Sequence, residues 1–176
     1  MNPEIVSEWH LSGYGYFNAT DRSDEIPDRS DVEDWLLAAA GAGWPELVAR
    51  AGLVLVIGPD GRYRERLVGG ELALPWYDGD GVQVDSPEPS EGEAREVAGR
   101  AGMSLHPDRD FPPDPPGEGF RAVLRIDDGD TMISDIVEVV GDSLIRAISV
   151  VTDEMYFDRV VARYGRIADG SAGAGR

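Results

Sequence analysis

From Gly52 onward the chain consists of short runs of Val, Ile, Leu and Tyr cut by Gly, Asp and Pro, a punctuation that favours strands joined by tight turns. Residues 53–57 and 62–68 flank Gly-Pro-Asp-Gly, and residues 71–77 and 82–85 flank Asp-Gly-Asp-Gly, so each pair reads as a hairpin. In the last third, residues 120–126, 131–140, 144–152 and 155–164 are four strands in succession. Their linkers are short enough to make each the antiparallel neighbour of the next. Ahead of Gly52, residues 8–17 alternate with a period of two and carry aromatic side chains on both faces, as in a strand enclosed from two sides.

Two helices are expected between this first strand and the rest. Ser30 with Glu33 forms a capping box, and Val32, Trp35, Leu36, Ala39 and Ala40 follow at helical spacing until Gly41 and Gly43 interrupt them. Trp44-Pro45 restarts the pattern, with Leu47, Val48 and Ala51 on one side before Gly52. The stretch 86–119 is the least patterned, since seven of the twelve prolines lie between Pro87 and Pro116. One or two short strands within 94–105 and then an irregular crossing are expected there. At 176 residues the chain suits one domain, over 1–167, with 168–176 as a loose tail.

Composition excludes several classes of function. There are 34 acidic and 16 basic residues, a formal charge of −18, which repels phosphate backbones and anionic lipid headgroups. All the basic residues are arginine, so lysine-based Schiff-base chemistry is excluded. With no cysteine, thiol catalysis, disulfides and cysteine-built metal centres are excluded as well. No apolar run approaches the length of a membrane-spanning helix. The opening MNPEIVSEW lacks the basic and apolar regions of a signal peptide, so a cytoplasmic location is expected. The acidity suits either a G- and C-rich genome or adaptation to salt.

One strand, a helical pair and then about eight or nine strands ending in a meander resembles the intracellular fatty-acid-binding family within the calycin barrels. Trp9 on the first strand followed by the pair at 31–51 resembles the start of that family. Residues 125–166 resemble its end, with a D-G turn, a Thr-rich strand, a G-x-L strand and an Arg-x-Tyr strand in order. The resemblance covers about half the chain. It implies a mostly β protein, an antiparallel meander barrel of about ten strands, with a two-helix lid between the first and second. A two-sheet sandwich is the alternative on strand pattern alone.

In that family the final strands clamp a ligand carboxylate. Arg159 falls at the place of the terminal arginine, whereas Val161 stands for its partner tyrosine and Asp135 near the second arginine. Ser7 stands where calycins often have glycine. Arg146 shares a strand face with Leu144, Ile148 and Val150, and Arg159 shares one with Met155, Phe157 and Val161. Each arginine reads either as a ligand anchor or as half of an internal ion pair, with Asp135 or Glu138 as partner for Arg159. Tyr14, Tyr16, Trp35, Trp44, Trp76 and Tyr77 offer the flat apolar area of a small-molecule cavity, or ordinary core.

His10, on the alternating face of Tyr14 and Tyr16, is the one candidate base. The two histidines are too few for a metal constellation, the acidic turns lack EF-hand spacing, and no nucleotide or hydrolase motif occurs, so no metal or cofactor is expected. The expected function is binding of a small hydrophobic or amphipathic ligand, including one bearing a carboxylate, within the barrel. A motif-poor cyclase or isomerase of a polyketide-like intermediate, and an acidic protein-binding module with a filled core, are the alternatives.

Overall fold

A computed structural model describes residues 1–20, 44–97, 100–106, 124–127, 130–152 and 156–166, together with Val32, Trp35 and Leu36. The strands are β1 (Ser7–Thr20), β2 (Val48–Ala49), β3 (Leu53–Ile57), β4 (Arg62–Leu67), β5 (Trp76–Tyr77), β6 (Gln83–Val84), β7 (Glu91–Val97), β8 (Arg100–Ser104), β9 (Leu124–Asp127), β10 (Thr131–Val140), β11 (Ser143–Thr152) and β12 (Tyr156–Arg166). Pairing runs β1, β3, β4, β7, β8, β10, β11, β12 and back to β1, so an up-and-down antiparallel barrel closes. The ring has eight strands where about ten were expected, because β2 and β9 only add to one edge each and β5–β6 form a separate two-stranded hairpin. An eight-stranded ring is just wide enough for side chains or one small ligand.

One wall of the ring is discontinuous. β8 and β9 lie along the same edge of β10, with Gly102 opposite Ile136 and Leu124 opposite Ser134. Along that edge β8 ends at Ser104 and β9 begins at Leu124. The irregular crossing expected from 107 to 119 and the tail at 168–176 lie outside the described residues.

Alternation along each strand separates the faces. On β4, Tyr63 and Glu65 are buried inward while Arg62, Arg64 and Arg66 are exposed. Inward residues from all sides, among them Trp9, Leu55, Met103, Val137, Ile148 and Tyr164, form the main core. At the end made by the tight turns, Ile5 and Trp9 fill the base, and Trp9 Nε1 donates to the Ile5 carbonyl at 2.8 Å. Arg166 lies 4.6 Å from the Trp9 ring centroid. At the other end Leu74, Trp76 and Tyr77 of the β5–β6 hairpin enter the same core, and the Tyr14 hydroxyl donates to the Pro75 carbonyl at 2.6 Å. The hairpin stoppers the mouth.

The second helix of the expected lid is corrected, and most of the first, within 31–43, lies outside the described residues. Residues 44–51 are extended, and β2 pairs with Gly13 and Tyr14 of β1. The pattern of Leu47, Val48 and Ala51 lost to the backbone pairing that β1 offers. Val32, Trp35 and Leu36 have helical backbone, but they pack on the outward face of β10, β11 and β12 against Met132, Val151 and Phe157. Ser134 Oγ donates to the Leu36 carbonyl at 2.6 Å there. This outer cover accounts for the burial of Val151 on the outward face of β11, a strand buried on both faces.

Candidate ligand-binding cavity

A cavity of about 270 Å³ lies between the β5–β6 hairpin and the barrel wall. Trp76, Tyr77 and Leu105 give it apolar walls, Asp78 and Glu88 stand at its margin, and Glu65 and Arg146 reach it from the interior. The hairpin holds its shape through its turn. Asp78 Oδ1 accepts from the backbone N–H of Asp80 and of Val82, both at 2.9 Å, so the acidic turn is an Asx-type hairpin closure.

Arg146 is set inward by β11 and meets two carboxylates. Its Nε and Nη2 donate to Asp135 Oδ1 and Oδ2 at 2.8 and 2.7 Å, and its Nη1 donates to Glu65 Oε1 at 2.5 Å. Ser90 Oγ donates to the other Glu65 oxygen at 2.7 Å. The guanidinium also lies 5.5 and 5.9 Å from the ring centroids of Trp76 and Tyr63. Burial alone would lower its proton affinity, but Asp135 and then Glu65 outweigh burial and hold it well above its ordinary value. Tyr164 is fully buried beside this group, and burial together with the nearby Glu65 charge pushes its phenol up. Burial, with Asp158 and Tyr16 near it, likewise raises the Tyr77 phenol.

The sequence-derived candidates divide between two faces. Arg146, Tyr14 and Tyr16 belong to the inward face, Arg146 at the cavity and Tyr14 beneath the hairpin. Arg159 lies outward, opposite Phe17 and Ser149, so it does not reach the interior. It is completely buried by the outer cover, its guanidinium 4.0 Å from the Trp35 ring centroid, with Nε donating to Ser149 Oγ at 2.9 Å and Nη2 to the Trp35 carbonyl. Burial lowers its proton affinity to about 10, so it remains charged at neutral pH. Trp35 and Phe157 stack edge to face at 5.2 Å in that outer cluster, and Met155 lies outside the described residues.

His10 is also corrected. A bulge between Leu11 and Gly13 turns β1 over, so Tyr14 and Tyr16 face inward while His10 faces outward and bonds Glu8 at 2.8 Å. Asp135 proves to be the partner of Arg146 on the neighbouring strand, and Glu138 pairs with Arg100 at 3.5 Å. Glu65 was missed, although RYRERL places it on the Tyr63 parity opposite three arginines. Among the described residues no group of three or more His, Asp or Glu could hold a metal ion, and no helix is long and apolar enough to cross a membrane.

No protein-family model matches the chain, and no curated protein matches it in sequence. Among solved structures it is similar to the crystal structure of zebrafish ileal bile acid-binding protein complexed with cholic acid, at 11% identity and a TM-score of 0.37. That similarity covers 93% of this chain and 99% of the other.

Proposed function

We propose that this protein binds a compact small molecule in the cavity beneath the β5–β6 hairpin. The observation that carries the reading is the cavity itself, about 270 Å³ with aromatic walls and a fixed polar group at one side. Ligand sites commonly measure roughly 300–1,000 Å³ and combine apolar lining with a few oriented polar groups. This one lies near the lower limit, a volume that suits a compact ligand. Affinity comes from contact with Trp76, Tyr77 and Leu105, and Glu65 and Arg146 orient the polar end. The filled-core interaction module would need a continuous exposed apolar patch. The exposed large hydrophobics among the described residues, Val48, Val68, Val82, Val140 and Tyr156, lie on separate elements.

Native mass spectrometry of gently purified protein, compared with the denatured chain, tests this reading. A small mass excess lost on denaturation, and absent from Leu105→Trp, is expected. A clean mass in both, with no uptake of small aromatic probes by either, overturns it.

A further inference from the structure

The buried ion pair at the cavity names a ligand class. Resting on the reading that this cavity is the binding site, we infer that the ligand is a compact uncharged molecule, a ring bearing a hydroxyl or carboxamide. Glu65 and Arg146 reach the cavity from the interior with side chains only 2 and 3% exposed, and each already holds a counter-charge. Arg146 donates from Nε and Nη2 to Asp135 and from Nη1 to Glu65, and the second Glu65 oxygen accepts from Ser90. A ligand carboxylate could pair with the guanidinium only by displacing one of these carboxylates. The displaced group would stay buried without its partner, so one ion pair would be exchanged for another with a bare charge left behind.

A cation fares no better. The Arg146 guanidinium already lies 5.5 Å from the Trp76 ring centroid, so a second cation on that wall meets a like charge. Glu65 is engaged by Arg146 and Ser90, and Asp78 Oδ1 is held by the backbone N–H groups of Asp80 and Val82. Glu88 is exposed, where water leaves an ion pair little net worth, whereas taking an ammonium out of water onto the aromatic wall keeps its cost. A neutral dipole avoids both penalties. A guanidinium carries more N–H groups than these carboxylates occupy, and a carboxylate oxygen accepts more than one hydrogen bond. A hydroxyl or carboxamide can therefore add to the Arg146–Glu65 pair without displacing either partner, while its ring packs on Trp76, Tyr77 and Leu105.

The test is calorimetric titration of the full chain at neutral pH with benzyl alcohol, benzoate and benzylammonium, which share a ring and differ in charge. Benzyl alcohol is expected to bind about tenfold tighter than either ion. Glu65→Gln, which releases Arg146 Nη1 from a carboxylate, is expected to raise the affinity for benzoate about tenfold over the parent chain. Leu105→Trp, which fills the cavity, is expected to abolish all binding. If either ion binds the parent as tightly as the alcohol and Leu105→Trp blocks both, or if a folded Glu65→Gln chain still excludes benzoate, the inference fails while the cavity reading stands. Should Glu65→Gln not fold, the ranking of the probes on the parent decides alone. If none of the probes binds, or Leu105→Trp leaves binding unchanged, both fall.

Discussion

Arg146 is the cation between two inward carboxylates from different strands, and its removal would leave Glu65 and Asp135 buried without compensation. Arg146→Ala is expected to cost about 3–5 kcal/mol in urea unfolding, the usual penalty for breaking a buried ion pair from one side. Replacing all three by apolar residues of similar size should recover most of that loss, because desolvation opposes such groups as strongly as attraction favours them. Arg159 predicts a different outcome. Arg159→Ala should lower stability by about 2–4 kcal/mol through lost contact with Trp35 and Ser149, and leave probe affinity for the cavity unchanged.

The buried tyrosines give a pH dependence. Burial raises the phenols of Tyr14, Tyr77 and Tyr164 above the ordinary value of 10.0. A phenol whose proton is held more tightly in the folded chain contributes stability in full below pH 10 and loses it as pH rises beyond. Alkaline titration followed by phenolate absorbance should therefore show these tyrosines ionising only together with unfolding. Early, reversible ionisation of all six tyrosines in the folded protein would contradict it.

At the scale of elements, close approach decides what the strands tolerate. A Cβ on Gly15 would lie 2.7 Å from Pro45 Cγ and 2.8 Å from the Glu46 carbonyl, so the extended segment 44–49 can cross β1 there only because the side chain is absent. Gly15→Ala should push that segment off the wall and cost about 1–3 kcal/mol, measurable as a lowered melting temperature. The strands themselves were legible, since alternation on β4 and the apolar face of Leu144, Ile148 and Val150 on β11 each mark a buried side. The inward place of Arg146 beside Leu144 and Ile148 was legible in the same way. His10 was not, because a bulge adds one residue without any mark in an alternating pattern, and everything after it changes face. The segment 45–51 satisfied helical spacing, but its backbone pairs with β1, and only long-range contact decides that. What closes the mouth could not be read either. The hairpin Trp76 to Val84 was visible as a hairpin, yet nothing local says that it folds inward over the core.

For the molecule as a whole, charge is the term that solvent can change most. With −18 on 176 residues, like charges repel across the surface, and ions screen them over about 8 Å at physiological strength and less above it. Raising monovalent salt should raise the melting temperature until screening saturates near about 1 M. A melting temperature independent of salt would show that the surface charges are already paired off locally. The split wall bears on the covalent continuity of the barrel. Because β8 and β9 reach the same edge of β10 from opposite sides of residues 105–123, every ring strand is complete without a peptide bond in that interval. A protease nick there would leave two pieces, one carrying β1 to β8 and the other β9 to β12, that still share the β8–β10 and β12–β1 seams. The two halves of the barrel are thus joined across those seams without a covalent link, by backbone pairing, the shared core and the Arg146–Glu65 pair.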